Sequence, residues 1–131
     1  MITVWTNGCF DVLHRGHVEL FKYAKSLGDK LVVGIDSDEK VRKDKGDGRP
    51  YNSVVDRKFV LESIKYIDEV IIFNSKEDLE ENVRKVEPDF GVVGSDWKGK
   101  EVVGQEHMSK LVFFDRIGGY STTNVLKGVR Q

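Results

Sequence analysis

The sequence has 131 residues, of which 39% are hydrophobic and 33% are charged. This length predicts one domain, spanning residues 1–131, and is too short for two ordinary domains. Lysine plus arginine (21) nearly balance aspartate plus glutamate (22), which argues against a nucleic-acid partner. With no long apolar run and a single cysteine, Cys9, we expect no membrane association and a cytoplasmic location.

Apolar runs alternate with helical patterns along the chain. Strands are predicted over residues 2–6, 30–35, 69–73, 89–93 and 110–114. Helices are predicted over 16–27, after a cap within 36–38, from 52 or 53 to about 67, over 75–86 and over 121–129. The polar residues 42–51 are predicted to form a loop. This order predicts an α/β fold, a single Rossmann-like domain with a mostly parallel five-stranded sheet and helices on both faces.

The unusual residues of the sequence follow the predicted strands. In open parallel sheets the ligand lies beyond the carboxyl ends of the strands, near the point where strand order reverses. Glycines, histidines and charged residues are concentrated in the segments 7–17, 36–48, 94–100 and 116–123. We therefore expect these four segments to build one ligand site.

The first segment contains His14 and His17, three residues apart at the predicted start of a helix. Side chains at this spacing face the same side. A helix start offers backbone N–H groups to an anion, two imidazoles add donors for phosphate oxygens, and Gly16 permits close approach. Two alternatives stay open: a cap with a packed core histidine, and a zinc site with Cys9, His14 and His17 as ligands.

The segments Gly8-Cys9-Phe10-Asp11 and His14-Arg15-Gly16-His17 resemble the signature of the cytidylyltransferase-like nucleotidylyltransferases. Residues 116–123 (RIGGYSTT) resemble the second signature of that superfamily, so the resemblance covers essentially the whole chain. It implies a Rossmann-like enzyme that joins a nucleoside triphosphate to a phosphorylated small-molecule acceptor and releases pyrophosphate. Mg²⁺ is the expected cofactor and a homodimer the expected assembly.

The resemblance and the residue chemistry together give a set of expected site residues. The expected catalytic residues are His14, His17, Lys45 and Arg116. The expected nucleotide-binding residues are Asn7, Gly8, Cys9, Phe10, Asp11, Gly16, Asp96, Trp97, Ser121 and Thr122. Lys43 and Arg57 are expected to bind the acceptor. Asp11 is also a candidate magnesium ligand, although it can equally fix the loop.

Three basic residues have structural alternatives to a ligand contact. Arg57 shares a helical face with apolar residues three, four and seven positions on, so it either pairs with a carboxylate or contacts a phosphate. Lys43 and Lys45 lie in the predicted loop and can simply be solvated. Of the two, Lys45, which precedes Gly46, is the preferred functional residue.

The late segments suggest contacts to the nucleoside and to the triphosphate. Asp96 can accept hydrogen bonds from ribose hydroxyls, while Trp97 can either wall a base pocket or pack into the fold. Ser121 and Thr122 can cap the last helix, and the same geometry binds phosphate. Arg116 can neutralise the charge of a triphosphate.

Two groups within the family share features with this sequence. Residues 6–11, 45–50 and 119–124 resemble the heptose 1-phosphate adenylyltransferases, which use ATP. The short length, residues 56–58 and 96–100, and Arg116 resemble glycerol-3-phosphate cytidylyltransferase, which uses CTP. The sequence slightly favours CTP with a small phosphorylated alcohol or sugar. ATP with a sugar 1-phosphate is the alternative, and a non-catalytic nucleotide sensor is an alternative of another class.

Overall fold

The computed structural model describes residues 1–115, so the second signature and the helix predicted over 121–129 lie outside the described residues. The strands are β1 (Thr3–Gly8), β2 (Lys30–Asp36), β3 (Glu69–Phe73), β4 (Phe90–Gly94) and β5 (Lys110–Phe114). The α-helices are α1 (Arg15–Ser26), α2 (Asp38–Lys45), α3 (Val54–Glu62) and α4 (Lys76–Val86). None of the described helices is long and apolar enough to cross a membrane.

The five strands form one parallel sheet in the order β3-β2-β1-β4-β5. The chain winds outward from β1 to β3 and then returns to place β4 on the other side of β1. Strand order therefore reverses between β1 and β4, which is where open α/β sheets bind ligands. The predicted Rossmann-like fold is confirmed, and the sheet is entirely parallel.

Helices cover both faces of the sheet, because consecutive residues of a strand point to opposite sides. On one face Val4 of β1 packs in a core with Phe21 of α1 and Leu61 of α3. On the other face the neighbouring Trp5 packs in a second core with Val83 of α4. Parallel strands buried on both sides need continuous apolar runs, which is why the strands were readable from the sequence.

Two predicted boundaries are wrong, both in the helices around the predicted loop. Helix α2 continues to Lys45, because Ser37 caps it and Lys40 pairs along it with Asp36 and Asp44. Residues 42–45 are therefore helical. Helix α3 ends at Glu62, well before residue 67, since its last turn closes with short-range hydrogen bonds to the backbone carbonyls of residues 60 and 61.

Gly34 in the middle of β2 provides a test of the packing. A Cβ there would lie 2.6 Å from Cζ2 of Trp5 and 3.2 Å from Cε1 of Phe73. Because both rings are buried, we expect Gly34→Ala to lower the free energy of unfolding by about 1–3 kcal/mol in urea titrations. Gly48→Ala is the control, as a Cβ there meets nothing within 4 Å. Equal stability of the two variants would contradict this packing.

Candidate active site

The site opens where β1 and β4 part. Along β1 and β2 six residue pairs are in register, but β1 and β4 pair only at Val4–Phe90 and Trp5–Gly91. Further along, the Thr6 hydroxyl donates to the Val92 carbonyl oxygen at 2.8 Å. The Thr6 side chain thus takes the place of a backbone donor from β1, and the Val92 carbonyl keeps a hydrogen-bond partner. The ends of β1 and β4 can therefore diverge without leaving that carbonyl unpaired.

A pocket of about 800 Å³ lies at these diverging ends. Most of the sequence-predicted site residues in the described part of the chain line it, namely Asn7, Gly8, Cys9, Phe10, Asp11, His14, Gly16, His17, Lys45, Asp96 and Trp97. Lys43 and Arg57 do not line it. Arg116, Ser121 and Thr122 lie outside the described residues. The functional roles of all these residues stay predictions. The geometry does show that residues from the segments 7–17, 36–48 and 94–100 lie around one pocket, as predicted.

The two histidines form a reciprocal cap at the start of α1. His14 Nδ1 accepts from the backbone N–H of Gly16 at 3.0 Å, and His17 Nδ1 accepts from the backbone N–H of His14 at 3.2 Å. The rings lie nearly stacked, with centroids 3.9 Å apart. Since each Nδ1 accepts, the proton of each neutral ring lies on Nε2. Capping and ligand binding therefore use different nitrogens of the same rings.

Phe10 supports this pair from behind. Its ring edge lies against His17, with centroids 5.5 Å apart at 87°, and it also packs on Phe21 of α1. The backbone of Phe10 has φ 49°, in the left-handed region that side chains rarely adopt. A Cβ at Gly8 would lie 3.1 Å from the Phe10 ring. Glycine at position 8 thus gives the ring room to lie on the end of β1 and hold His17.

The zinc alternative does not fit this geometry. Burial raises the pKa of the Cys9 thiol, and the nearby Lys45 and Arg57 offset this only in part, so the metal-binding thiolate is disfavoured. Within residues 1–115, the group of three side chains close enough to share a metal ion is Glu80, Glu106 and His107, which lies outside the pocket.

Asp11 holds the loop that follows α2. Its buried carboxylate accepts from the backbone N–H groups of Tyr51 at 2.7 Å and Asn52 at 2.8 Å, and from Arg49 Nε at 3.2 Å. Burial acts to raise the pKa of this carboxyl, but these three donors outweigh it and lower the pKa below its usual value. The loop-fixing role considered for Asp11 is present in the structure. A magnesium role for it stays a prediction.

Arg57 is 2% exposed and ties three loops together. Its Nη1 donates to the carbonyl oxygens of Cys9 at 2.9 Å and Asp36 at 2.8 Å, which follow β1 and end β2. Its Nε donates to the Asn52 carbonyl oxygen at 3.0 Å, and Nη2 pairs with Asp38 at 2.8 Å. The carboxylate-pairing alternative thus describes these contacts, and acceptor binding by Arg57 stays a prediction.

The two lysines of the predicted loop, Lys43 and Lys45, differ in their position relative to the pocket. Both are exposed and lie in the last turn of α2, but Lys45 lines the pocket and Lys43 does not. Sequence reasoning missed five other charged residues that line the pocket: Arg49, Lys76 and the evenly spaced Asp36, Lys40 and Asp44. The spacing of four residues in the last three, acidic-basic-acidic, is the signal that could have found them.

Asp96 and Trp97 lie in a short 3-10 turn, Ser95–Trp97, directly after β4. A Cβ at Gly94 would lie 2.5 Å from Oδ1 of Asp96, so this turn needs a glycine to let the carboxylate fold back toward the strand end. Trp97 is 45% exposed and lines the pocket. Packing into the core, one of the two interpretations of Trp97, does not describe this position.

A parallel sheet with its pocket at the switch point and a histidine-capped helix facing it defines a nucleotide-binding α/β enzyme. Residues 5–125 match the cytidylyltransferase-like family, so the chain belongs to that family. It is a nucleotidyltransferase.

Individual proteins are also similar to this chain in sequence or structure. The chain is 46% identical over 129 residues to the bifunctional protein HldE of Campylobacter concisus, covering 98% of this chain and 27% of the relative. It is 39% identical over 128 residues to HldE of Helicobacter pylori, covering 98% and 28%. A solved lipopolysaccharide core biosynthesis protein from Thermoplasma volcanium is 30% identical, with a TM-score of 0.74 over 92% of this chain and 99% of that one. The chain thus spans about a quarter of the length of these HldE relatives.

The Asp11 network gives a pH-dependent prediction for stability. Asp11→Asn places an amide against backbone N–H donors, so we expect a loss of about 1–3 kcal/mol in the free energy of unfolding at neutral pH. Because folding lowers this pKa, the stabilisation is present above the unfolded value of about 3.8 and is lost as pH falls through the lower folded value. The difference between wild type and variant should therefore narrow below about pH 4.

The matched control is Asp47→Asn, since Asp47 is exposed and does not line the pocket. Urea titrations from pH 3 to pH 7 measure all three proteins. A stability difference between wild type and Asp11→Asn that stays constant over this range would show that the carboxylate does not hold the loop.

Proposed function

We propose that this chain transfers AMP from ATP to a sugar 1-phosphate, such as heptose 1-phosphate, and releases pyrophosphate. The observation that carries the proposal is the 46% identity to bifunctional HldE over 98% of the chain, because these relatives point to heptose 1-phosphate adenylylation. The adenylyltransferase-like segments 6–11, 45–50 and 119–124 agree with it. The preference for CTP drawn from the sequence is therefore replaced by its ATP-dependent alternative.

The chemistry is an in-line displacement at the α-phosphorus. An oxygen of the acceptor phosphate attacks the α-phosphorus of ATP, the bond from that phosphorus to the β-phosphate oxygen breaks, and pyrophosphate leaves with the electron pair. A phosphate is already anionic near neutral pH, so no general base is needed. The protein contributes positioning and charge stabilisation.

The described residues provide the phosphate contacts for this reaction. The Nε2–H groups of His14 and His17 donate to the α- and β-phosphates, beside the N–H groups at the start of α1. Lys45, at the pocket wall, offsets the charge of the departing pyrophosphate, together with Arg116. Loss of one preorganised donor of this kind costs roughly a hundredfold to a thousandfold in rate.

Magnesium fits the carboxylates of the pocket. Mg²⁺ is usually held by one or two carboxylates together with substrate phosphates, where it neutralises phosphate charge. Asp11 and Asp96 line the pocket and are the candidate ligands, although three donors already engage Asp11. Asp96 and Trp97 also flank the proposed nucleoside position beyond β4, and Ser121 and Thr122 are proposed to contact the triphosphate.

A homodimer is part of the proposal. Helix α3 exposes Val55 and Phe59, four residues apart on one side, with 73% and 72% of their surface accessible. Apolar side chains exposed together favour association with another protein surface.

A substrate matrix tests the proposed reaction. ATP, CTP, GTP and UTP are each combined with heptose 1-phosphate, other sugar 1-phosphates and glycerol 3-phosphate, and pyrophosphate release is measured with Mg²⁺. We expect the largest kcat/KM for ATP with a sugar 1-phosphate. A largest value for CTP with glycerol 3-phosphate would restore the cytidylyl interpretation. Nucleotide binding without pyrophosphate release for any acceptor would favour a sensor.

Two variants of His17 test its capping role and its proposed role as a phosphate donor independently. The amide oxygen of His17→Asn lies near the position of Nδ1 and can keep the cap, but the variant has no group at Nε2. We expect near-wild-type stability and a loss of about a hundredfold or more in kcat. His17→Gln places an amide N–H near Nε2 but loses the cap. We expect it to lose about 0.5–2 kcal/mol of stability while keeping more activity.

Urea titration and pyrophosphate release measure both variants. The phosphate role of His17 would be wrong if His17→Asn turned over within about threefold of wild type, or if the two variants lost activity in proportion to stability.

A further inference from the structure

Three charged side chains form a connected group on one wall of the pocket. Asp36 ends β2, and Lys40 and Asp44 follow it at intervals of four residues. The Lys40 ammonium lies 3.2 Å from Oδ2 of Asp36 and 2.6 Å from Oδ2 of Asp44. The side chains of Asp36 and Lys40 are only 16% and 18% exposed, whereas Asp44 is 46% exposed. All three line the same pocket as the histidine pair.

The charge of this triad does not suit a phosphate. Two carboxylates outnumber one ammonium, and although burial acts to lower the pKa of Lys40, both carboxylates outweigh it, so the pKa is raised and the ammonium stays charged. The triad itself carries a net negative charge, so a phosphate is better matched to a basic residue of the same pocket, such as Lys45, than to the triad. Hydroxyl groups suit it, because each hydroxyl can donate to a carboxylate and accept from an ammonium N–H.

The position of the triad separates it from the proposed nucleoside site. In the sheet, β2 and β4 lie on opposite sides of β1, and the turn that carries the histidine pair follows β1. Asp96 and Trp97 follow β4 on one side, and Asp36 ends β2 on the other. With the reacting phosphates above β1, the organic parts of the two substrates lie on either side. The triad therefore faces the acceptor.

We propose that Asp36, Lys40 and Asp44 bind the hydroxyl groups of the acceptor and select a polyhydroxylated sugar phosphate over a simple alkyl phosphate. This rests on the proposed function, since it names the part of the site that reads the acceptor. Ion pairs that only stabilise α2 would leave the choice of acceptor unchanged.

The test uses Asp44→Asn, whose exposed position favours correct folding, with Asp36→Asn as a second variant. Asp47→Asn is the matched control, because it makes the same chemical change three residues further on and outside the pocket. With saturating ATP and heptose 1-phosphate as the varied substrate, we expect KM to rise about tenfold to a hundredfold in both triad variants, the size of a lost charge-assisted hydrogen bond. The dissociation constant of ATP, measured without acceptor, should stay within threefold of wild type.

Acceptors that lack one hydroxyl complete the test. For the wild-type enzyme, the KM of the deoxy analogue that lacks the hydroxyl bound by the triad should exceed the KM of heptose 1-phosphate by the same factor. For Asp44→Asn, the KM values of that analogue and of heptose 1-phosphate should be nearly equal. An unchanged KM for the acceptor in both triad variants, or an equal rise in the dissociation constant of ATP, would overturn the acceptor role of the triad. Turnover by the wild type would still support the proposed function in that case. No turnover by wild type with any sugar phosphate would overturn both.

Discussion

The pocket depends on one buried guanidinium. Arg57 donates to carbonyl oxygens at the ends of two neighbouring strands and before α3, and its charge is balanced by Asp38. Loops after parallel strands carry backbone carbonyls that the sheet no longer pairs, and a planar fork of N–H donors is suited to collecting several of them. Because these carbonyls converge on a single side chain, the turn after β1 and the start of α2 are fixed relative to each other. The Asp11 carboxylate fixes the loop after α2 in a complementary way, because it accepts hydrogen bonds from backbone N–H groups of that loop.

The histidine pair shows how a small site can make a side chain serve twice. An ordinary cap uses a short oxygen-bearing side chain, such as a serine with its single hydroxyl. An imidazole has two nitrogens on opposite sides of a rigid ring, so Nδ1 can close the helix while Nε2 faces the pocket. The stacked rings and the edge of Phe10 restrict their rotation. The preorganisation that the proposed phosphate contacts need is therefore supplied by the fold itself.

The sequence predicted the parts of the molecule whose cause is local. All five strands and the start of α1 follow from apolar runs and caps, and the expected grouping of residues 7–17 with 94–97 follows from the rule for parallel sheets. The end of α3 and the extent of α2 were not predictable, because short-range hydrogen bonds end α3 and ion pairs extend α2 into a polar segment. The contacts of Arg57 and Asp11 were also hidden, since most of them join residues 19 to 48 positions apart. Residue chemistry did not separate ATP from CTP, and the proposal of ATP depends on the HldE relatives.

The reciprocal cap also makes the start of α1 depend on where the protons of two imidazoles lie. Each Nδ1 works only as an acceptor, and a proton there would turn it into a donor facing another N–H. A fully protonated pair would place two cations in stacked rings at the positive end of a helix. The first turn of α1 and the proposed phosphate contacts would then be lost together, so this fold couples the integrity of a helix to the tautomer of two residues that line its pocket.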